Sequence, residues 1–275
     1  MEEGMLYLVS TPIGNLKDIT LRALETLKEA DEIYCEDTRH SQVLLSAYDI
    51  RKPLFSLHKF NEARRGEEIA RKVREGKKIA CISDAGMPGI SDPGEGLVRL
   101  FRAEGLPLTV LPGPNAALTA LVLSGFSCQP FVFLGFLPEK KKDRAALLER
   151  WRRAPGTLIF YAAPHDVERD FRDLAEALGD RRAAAVREIS KLHESVSLGT
   201  LKQPRLDAVR GEFVLVVEGA AEEENPRCAL TPAEHVAALE AEGLSRAEAV
   251  KQAARERKVP KNQVYQAVLG KNGDE

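Results

Sequence analysis

Between residues 5 and about 124, short apolar runs alternate with longer amphipathic stretches: MLYLV at 5–9, EIYCE at 32–36, PLFSL at 53–57, KIACISD at 78–84 and LTVLP at 108–112. The runs have strand length, and the segments between them carry apolar residues at helical spacing, as at Leu21, Leu24 and Leu27. Strand and helix in strict alternation bury both partners only if the strands lie side by side in a mostly parallel sheet. Gly76 and Gly105 fall just past two of the helical segments, where a terminating glycine belongs. Thr20 is placed to cap the first helix.

A second series begins at FVFL, 131–134, and runs through TLIFYA, AAAVRE and EFVLVVEG, which ends at Gly219. Helical segments are expected between these runs as well, giving a second α/β domain. The expected division is 1–125 and 126–219, with an interdomain cleft near Ser124–Pro130. From Ala220 to Leu230 the chain is polar and aperiodic, a linker. Thr231 with Glu234, and Ser245 with Glu248, have capping-box spacing ahead of helical patterns, and Pro260 opens a third. Residues 228–275 therefore read as a small helix-turn-helix-like appendage, with helices too short for a core of their own. Over 245–271 seven basic residues (Arg246, Lys251, Arg255, Arg257, Lys258, Lys261, Lys271) face two acidic ones, Glu248 and Glu256, a surplus of 7 − 2 = +5.

That local surplus matters because the whole chain, 275 residues with a net charge of −2, gives no global reason to bind nucleic acid. Hydrophobic residues make up 44%, enough for real cores. Cys35, Cys81, Cys128 and Cys228 lack any spacing suited to zinc or a disulfide framework, so reduced thiols and no metal are expected. The start, MEEGMLYLVS, does not resemble a secretory signal, and no window reaches the roughly 18 apolar residues of a membrane span. A cytoplasmic protein without membrane partners is the expectation.

Three loops between strand and helix carry unusual chemistry. VSTPIGNLKDIT at 9–20 includes Pro12 and Gly14, CISDAGMPGISDPGEG at 81–96 packs Asp84, Gly86, Gly89, Asp92 and Gly94 into one turn, and LPGPNAALTALVLSG at 111–125 places Pro114 to start a helix. Glycine at such density costs folding entropy, which points to a ligand lying against the backbone. Neither a Gly-Lys-Ser phosphate loop nor G-x-G-x-x-G is present, so an NTPase and an ordinary dinucleotide domain are disfavoured.

Taken in order, these loops together with EDTRHS at 36–41, SLHKFNE at 56–62, FLGFLP at 133–138, TLIFYAAPH, VREISKLHE at 186–194 and GEFVLVVEG resemble the tetrapyrrole-methylase superfamily of S-adenosylmethionine enzymes. Within it they are similar to the branch that 2′-O-methylates a cytidine ribose of small-subunit (16S) ribosomal RNA, to which the basic tail is similar too. Met87, Phe60, Asn115, Ala162, Ala163 and Asp166 depart from the residues usual in that branch. The resemblance implies two α/β domains gripping S-adenosylmethionine, a substrate of ribosomal RNA or the assembled small subunit, and a homodimer. It implies cofactor contacts at Pro12, Gly14, Ser83, Asp84, Ala85, Gly86, Pro88, Pro112, Gly113, Pro114, Ala116, Leu134, Gly135 and Phe136. The competing readings are a tetrapyrrole C-methyltransferase and a ribosome-binding protein that keeps the scaffold without activity.

Asp37, Arg39, Glu188 and Lys191 are the candidate catalytic residues, with Asp37 and Glu188 the first carboxylates to consider as general base. Asp37 and Arg39 follow an apolar strand and are expected at its carboxyl end facing the cleft, with a structural ion pair as the alternative. Glu188 and Lys191 follow a strand of the second domain, and Lys191 is the expected contact to RNA or the transition state. Asn61 and Glu62 suit a helix start, with Asn61 as the cap, and His58 reads as satisfied structure. The run Lys140, Lys141, Lys142, Arg144, Arg150, Arg152, Arg153 reads as a solvated helix face. In the tail, Arg246, Lys251, Arg255, Lys258 and Lys261 are the expected RNA contacts.

Overall fold

The apolar runs of the first half form strands β1 (Met5–Val9), β2 (Glu32–Cys35), β3 (Leu54–Ser56), β4 (Lys78–Ile82) and β5 (Leu108–Leu111), joined by helices α1 (Leu21–Glu29), α2 (Thr38–Ala47), α3 (Glu62–Arg74) and α4 (Glu95–Ala103). The computed structural model describes residues 4–206, 208–221 and 226–269. The strands pair in parallel in the order β3-β2-β4-β1-β5, with Tyr7 opposite both Ala80 and Thr109. Helices cover both faces, as a parallel sheet requires. One side buries Leu6, Leu8, Tyr34, Ile69 and Phe101, the other Val9, Leu27, Ile33, Leu45 and Ile82, so alternate strand residues feed opposite cores.

Local signals fall where the sequence puts them, with two exceptions. Thr20 Oγ1 accepts from Ala23 N at 3.1 Å, and Gly76 and Gly105 follow the last residues of α3 and α4 with φ of 91° and 64°. Helix α5 (Ala116–Ser124), however, is capped by Asn115, whose Oδ1 accepts from Leu118 N at 3.0 Å, and Pro114 lies outside it. Asn61 does not cap α3 with its side chain. Its amide accepts from His58 N at 2.9 Å and donates to Ser56 O at 3.2 Å, closing a loop instead. Glu62 works on a neighbour: its Oε1 accepts from Gly94 N (2.9 Å) and Leu97 N (3.1 Å), capping α4 from another helix.

A second sheet contains β6 (Phe131–Phe136), β7 (Thr157–Ala162), β8 (Arg182–Arg187), β9 (Ser195–Thr200) and β10 (Phe213–Val217) in the order β6-β7-β10-β8-β9. Only β6 and β7 run parallel; β10 is antiparallel to β7 and β8, and β9 to β8. The expected helices between strands exist as α6 (Lys141–Trp151) and α7 (Val167–Leu178), but among the described residues none separates β8, β9 and β10. Strand β9, SVSLGT, is not among the strands expected from sequence. It is an edge strand, half exposed, with none of the continuous apolar character that marks a central one. Arg144 is also unlike its expected solvated self: it is buried, its Nε donates to Asp173 Oδ2 at 2.6 Å, and its Nη1 binds the carbonyls of Pro138 and Glu139.

Both sheets lie in one compact unit, residues 1–220, and a second unit spans 221–275. In the second, α8 (Pro232–Ala241), α9 (Arg246–Glu256) and α10 (Lys261–Leu269) do build a core of their own from Val236, Leu239, Ala249, Val250, Ala253, Val264 and Val268. Both expected capping boxes are formed. Part of the expected linker, residues 222–225, and Lys271 lie outside the described residues. Among the described residues no helix is long and apolar enough to cross a membrane. Removing the Glu62 cap should be measurable: Glu62→Ala is expected to lower unfolding stability by about 1–2 kcal/mol, seen as a lower urea midpoint, with Glu62→Gln closer to wild type.

Candidate active site

Because every strand of the first sheet runs the same way, the loops after β1, β2, β4 and β5 leave from one edge, and between the neighbours β1 and β4 the onward connections diverge, β1 leading to β2 on one side and β4 to β5 on the other. These loops are tied together. Thr11 and Gly86 exchange backbone hydrogen bonds of 2.8 and 3.1 Å, Thr11 Oγ1 donates to Ser83 O at 3.0 Å, and Ser10 Oγ donates to Leu111 O at 2.9 Å. Ser83 Oγ in turn donates to Gly86 O at 3.0 Å.

Beside this edge lies a cleft of about 440 Å³. From the first sheet it is lined by Ile13, Glu36, the 84–87 turn, Ile90, Ser91, Asp92, Asn115 and Ala116; from the second by Phe136, Tyr161 to Pro164, Ile189, Lys191 and Glu212 to Val214. A bulge in β6 between Phe133 and Gly135 shifts the register just before Phe136, and Tyr161 packs edge-on against both Phe133 and Phe136, with centroids 4.9 and 5.4 Å apart. The cleft thus has an apolar and aromatic wall and an acidic side.

The acidic side is under electrostatic stress. Burial, reinforced by the charges of Glu36 and Asp84, pushes the Asp92 carboxyl up to about 6. Glu36 is raised by burial and by Asp84, against the opposing pull of Lys59 and His58. Three carboxylates sharing a partly dry cleft favour a cationic guest.

Of the residues expected to contact a cofactor, Asp84, Ala85, Gly86, Ala116 and Phe136 line the cleft. Pro12, Ser83, Pro88, Pro112 and Pro114 belong to the same loops without lining it, and Leu134 and Gly135 lie in strand β6 just before Phe136, also without lining it. Gly14 and Gly113 have a packing reason. A Cβ at Gly14 would come within 2.3 Å of Lys191 Cγ, and one at Gly113 within 2.7 Å of Ser10 Cβ. Asp37 and Arg39 realise the structural alternative: Asp37 accepts from Arg39 N at 2.8 Å, capping α2, and from the Arg39 guanidinium at 2.9 Å. Their bonds hold the Asp37 carboxyl at about 2, and the carboxylate that faces the cleft is its neighbour Glu36.

Lys191 lines the cleft, but its ammonium is held by Glu188 Oε1 and Glu212 Oε2, both at 2.9 Å. Despite burial, these bonds leave Lys191 raised and Glu188 lowered, so each keeps its charge. Glu188 and Ser190 adopt positive φ (51° and 67°), and the Ser190 hydroxyl binds the Asp18 carboxylate across the two sheets. This loop is a latch on the first-sheet loop 13–18. Glu36, Asn115, Tyr161 and Glu212 are cleft residues that sequence reasoning did not assign to the site, and Asp92, read only as part of the glycine-dense ligand loop, lines the cleft with its carboxyl raised. In the helical unit, Arg246, Lys251, Arg255, Lys258 and Lys261 are all exposed or half-exposed.

Residues 5–205 match the family described as Tetrapyrrole (Corrin/Porphyrin) Methylases. The chain belongs to the tetrapyrrole methylase family. Among relatives of this methylase are proteins named Ribosomal RNA small subunit methyltransferase I from Bacillus subtilis (strain 168), 46% identical over 96% of this chain and 94% of theirs, and from Escherichia coli O157:H7, 42% identical over 98% and 96%. Solved structures with the same fold include the methyltransferase CobJ (TM-score 0.60, 20% identity, 79% of this chain and 95% of that one) and a uroporphyrin-III-C-methyltransferase from Thermus thermophilus (0.54, 22%, 78% and 94%). At that identity they speak for the fold alone.

The methyl donor of the family is S-adenosylmethionine. The cleft fits it: Glu36, Asp84 and Asp92 match its sulfonium and ammonium charges, and Ile13, Ile90, Ala116 and Ile189 offer an apolar wall for its adenine. Since a protonated Asp92 has no charge to offer a cation, donor affinity should fall as pH drops through about 6, by up to about tenfold per unit for one titrating carboxyl. Calorimetry between pH 5 and 8 checks this, and Asp92→Asn should bind more weakly with a flatter profile.

Proposed function

We propose that this methylase transfers a methyl group from S-adenosylmethionine to the 2′-hydroxyl of a cytidine ribose in small-subunit ribosomal RNA, in the cytoplasm and as a homodimer. The observation that carries this reading is the 42–46% identity, along nearly the whole chain, to relatives named for small-subunit ribosomal RNA methylation. The tetrapyrrole alternative rests on likeness of fold at no more than 22% identity among these structures. Support for a dimer comes from α5, which exposes Leu118 and Val122 one turn apart, with Val110 of the edge strand β5 also exposed.

When bound, the donor supplies an electrophilic methyl carbon. The chain's task is to hold the ribose oxygen in line with the departing sulfur, and such orientation can contribute up to about 7–11 kcal/mol. Loops from two sheets, latched by Lys191 and Ser190, suit that task. Asp37 and Glu188, held ionised by Arg39 and Lys191, take up a proton poorly and are weak general bases. Asp37→Ala should therefore cost cap stability more than turnover.

Incubating the protein with labelled donor and unmethylated small subunits, or free RNA, tests the reading; label mapped to a ribose 2′-oxygen is expected, and label on a base, or none, overturns it. The helical unit is proposed to hold RNA through Arg246, Lys251, Arg255, Lys258 and Lys261. Ending the chain at residue 220 should then weaken RNA binding and flatten its log–log salt dependence by about 0.7–0.9 for each phosphate those residues neutralise, while donor affinity stays unchanged.

A further inference from the structure

The turn from β3 into α3 is tightly built. Leu57 N donates to Cys35 O at 2.8 Å, Asn61 N donates to His58 O at 2.9 Å, and the Asn61 amide bridges Ser56 and His58. This fastens the turn to the end of β2, beside Glu36. Because Glu36, which follows Cys35, lines the acidic side of the cleft, the turn borders that side, where the charge of Lys59 acts on both Glu36 and Asp92. On it stands Phe60, 99% exposed, the most exposed large apolar side chain among the described residues, with only an edge contact to His58 at 6.1 Å.

A polyanion approaching this cleft meets Glu36, Asp84 and Asp92, which repel phosphate. Its backbone has to be kept off that side while a ribose reaches in, and contacts at the rim that are neutral or cationic achieve this. An exposed aromatic face carried on a hydrogen-bonded turn beside a lysine has the chemistry for a single-stranded nucleotide: the base stacks on the ring and the phosphate meets the ammonium. We propose that Phe60 is a stacking platform for a nucleobase of the substrate RNA flanking the ribose that enters the cleft, with Lys59 on an adjoining phosphate. This rests on the RNA-methylating reading above.

The test uses the full chain, labelled donor and unmethylated small subunits. Phe60→Ala and Phe60→Leu should each raise KM for the subunits by roughly 5- to 150-fold, the equivalent of one stacked base, whereas Phe60→Trp stays near wild type. Donor affinity by calorimetry should be unchanged in all three, which also verifies folding. The salt slope for a single-stranded oligoribonucleotide should persist in Phe60→Ala and flatten by about 0.7 in Lys59→Ala. An unchanged KM in Phe60→Ala overturns the proposal, as does full activity in Phe60→Leu, which would mean an apolar contact with ribosomal protein. If wild type binds donor yet labels no RNA, the functional reading itself fails and the platform with it.

Discussion

The parallel direction of the first sheet is the constraint from which the site follows. Parallel strands cannot be joined by tight hairpins, so each connection crosses over as a helix and the outgoing loops collect on one edge. Four such loops meet there, and an antiparallel bridge between Thr11 and Gly86 fixes two of them to each other. The second sheet has no such uniform direction; it supplies a wall of Phe136, Tyr161 and Val214 against that edge.

What the cleft gains from this arrangement is a concentration of like charge that no isolated loop could hold. Glu36 comes from the end of β2, Asp84 and Asp92 from the turn after β4, and burial makes Glu36 and Asp92 harder to ionise beside the others. The carboxyl of Asp92, raised from 3.8 to about 6, binds its proton more tightly folded than unfolded, so its contribution to stability falls as pH rises from about 4 to 6. Near neutral pH the ionised carboxylates of the cleft are thus a destabilising element that a cationic ligand relieves, a common trade at binding sites.

The first sheet, the Thr20 cap of its first helix and both capping boxes of the tail were legible because each rests on short-range pattern. The resemblance in nine separated stretches pointed to the family and its donor. What escaped was anything decided by contacts between distant segments. Strand β9 has too weak a pattern to stand out, since an edge strand is read by its pairing with β8 and not by its own composition. Asp37 and Glu36 are adjacent, and only the backbone turn into α2 decides which carboxylate faces the cleft. Asn61 and Glu62 look alike as helix starters, yet one closes its own loop and the other caps a helix more than 30 residues away.

Gly14 and Lys191 show how such contacts restrict change. The lysine stem lies so close to the glycine that even a methyl group on residue 14 would collide with it, while the ammonium is fixed by two carboxylates and cannot swing away. Neither position can vary alone: a larger residue 14 demands a shorter 191, which would strand Glu188 and Glu212 without their cation. Positions 177 residues apart thus behave as one unit of inheritance, and substitutions at the two should be strongly non-additive.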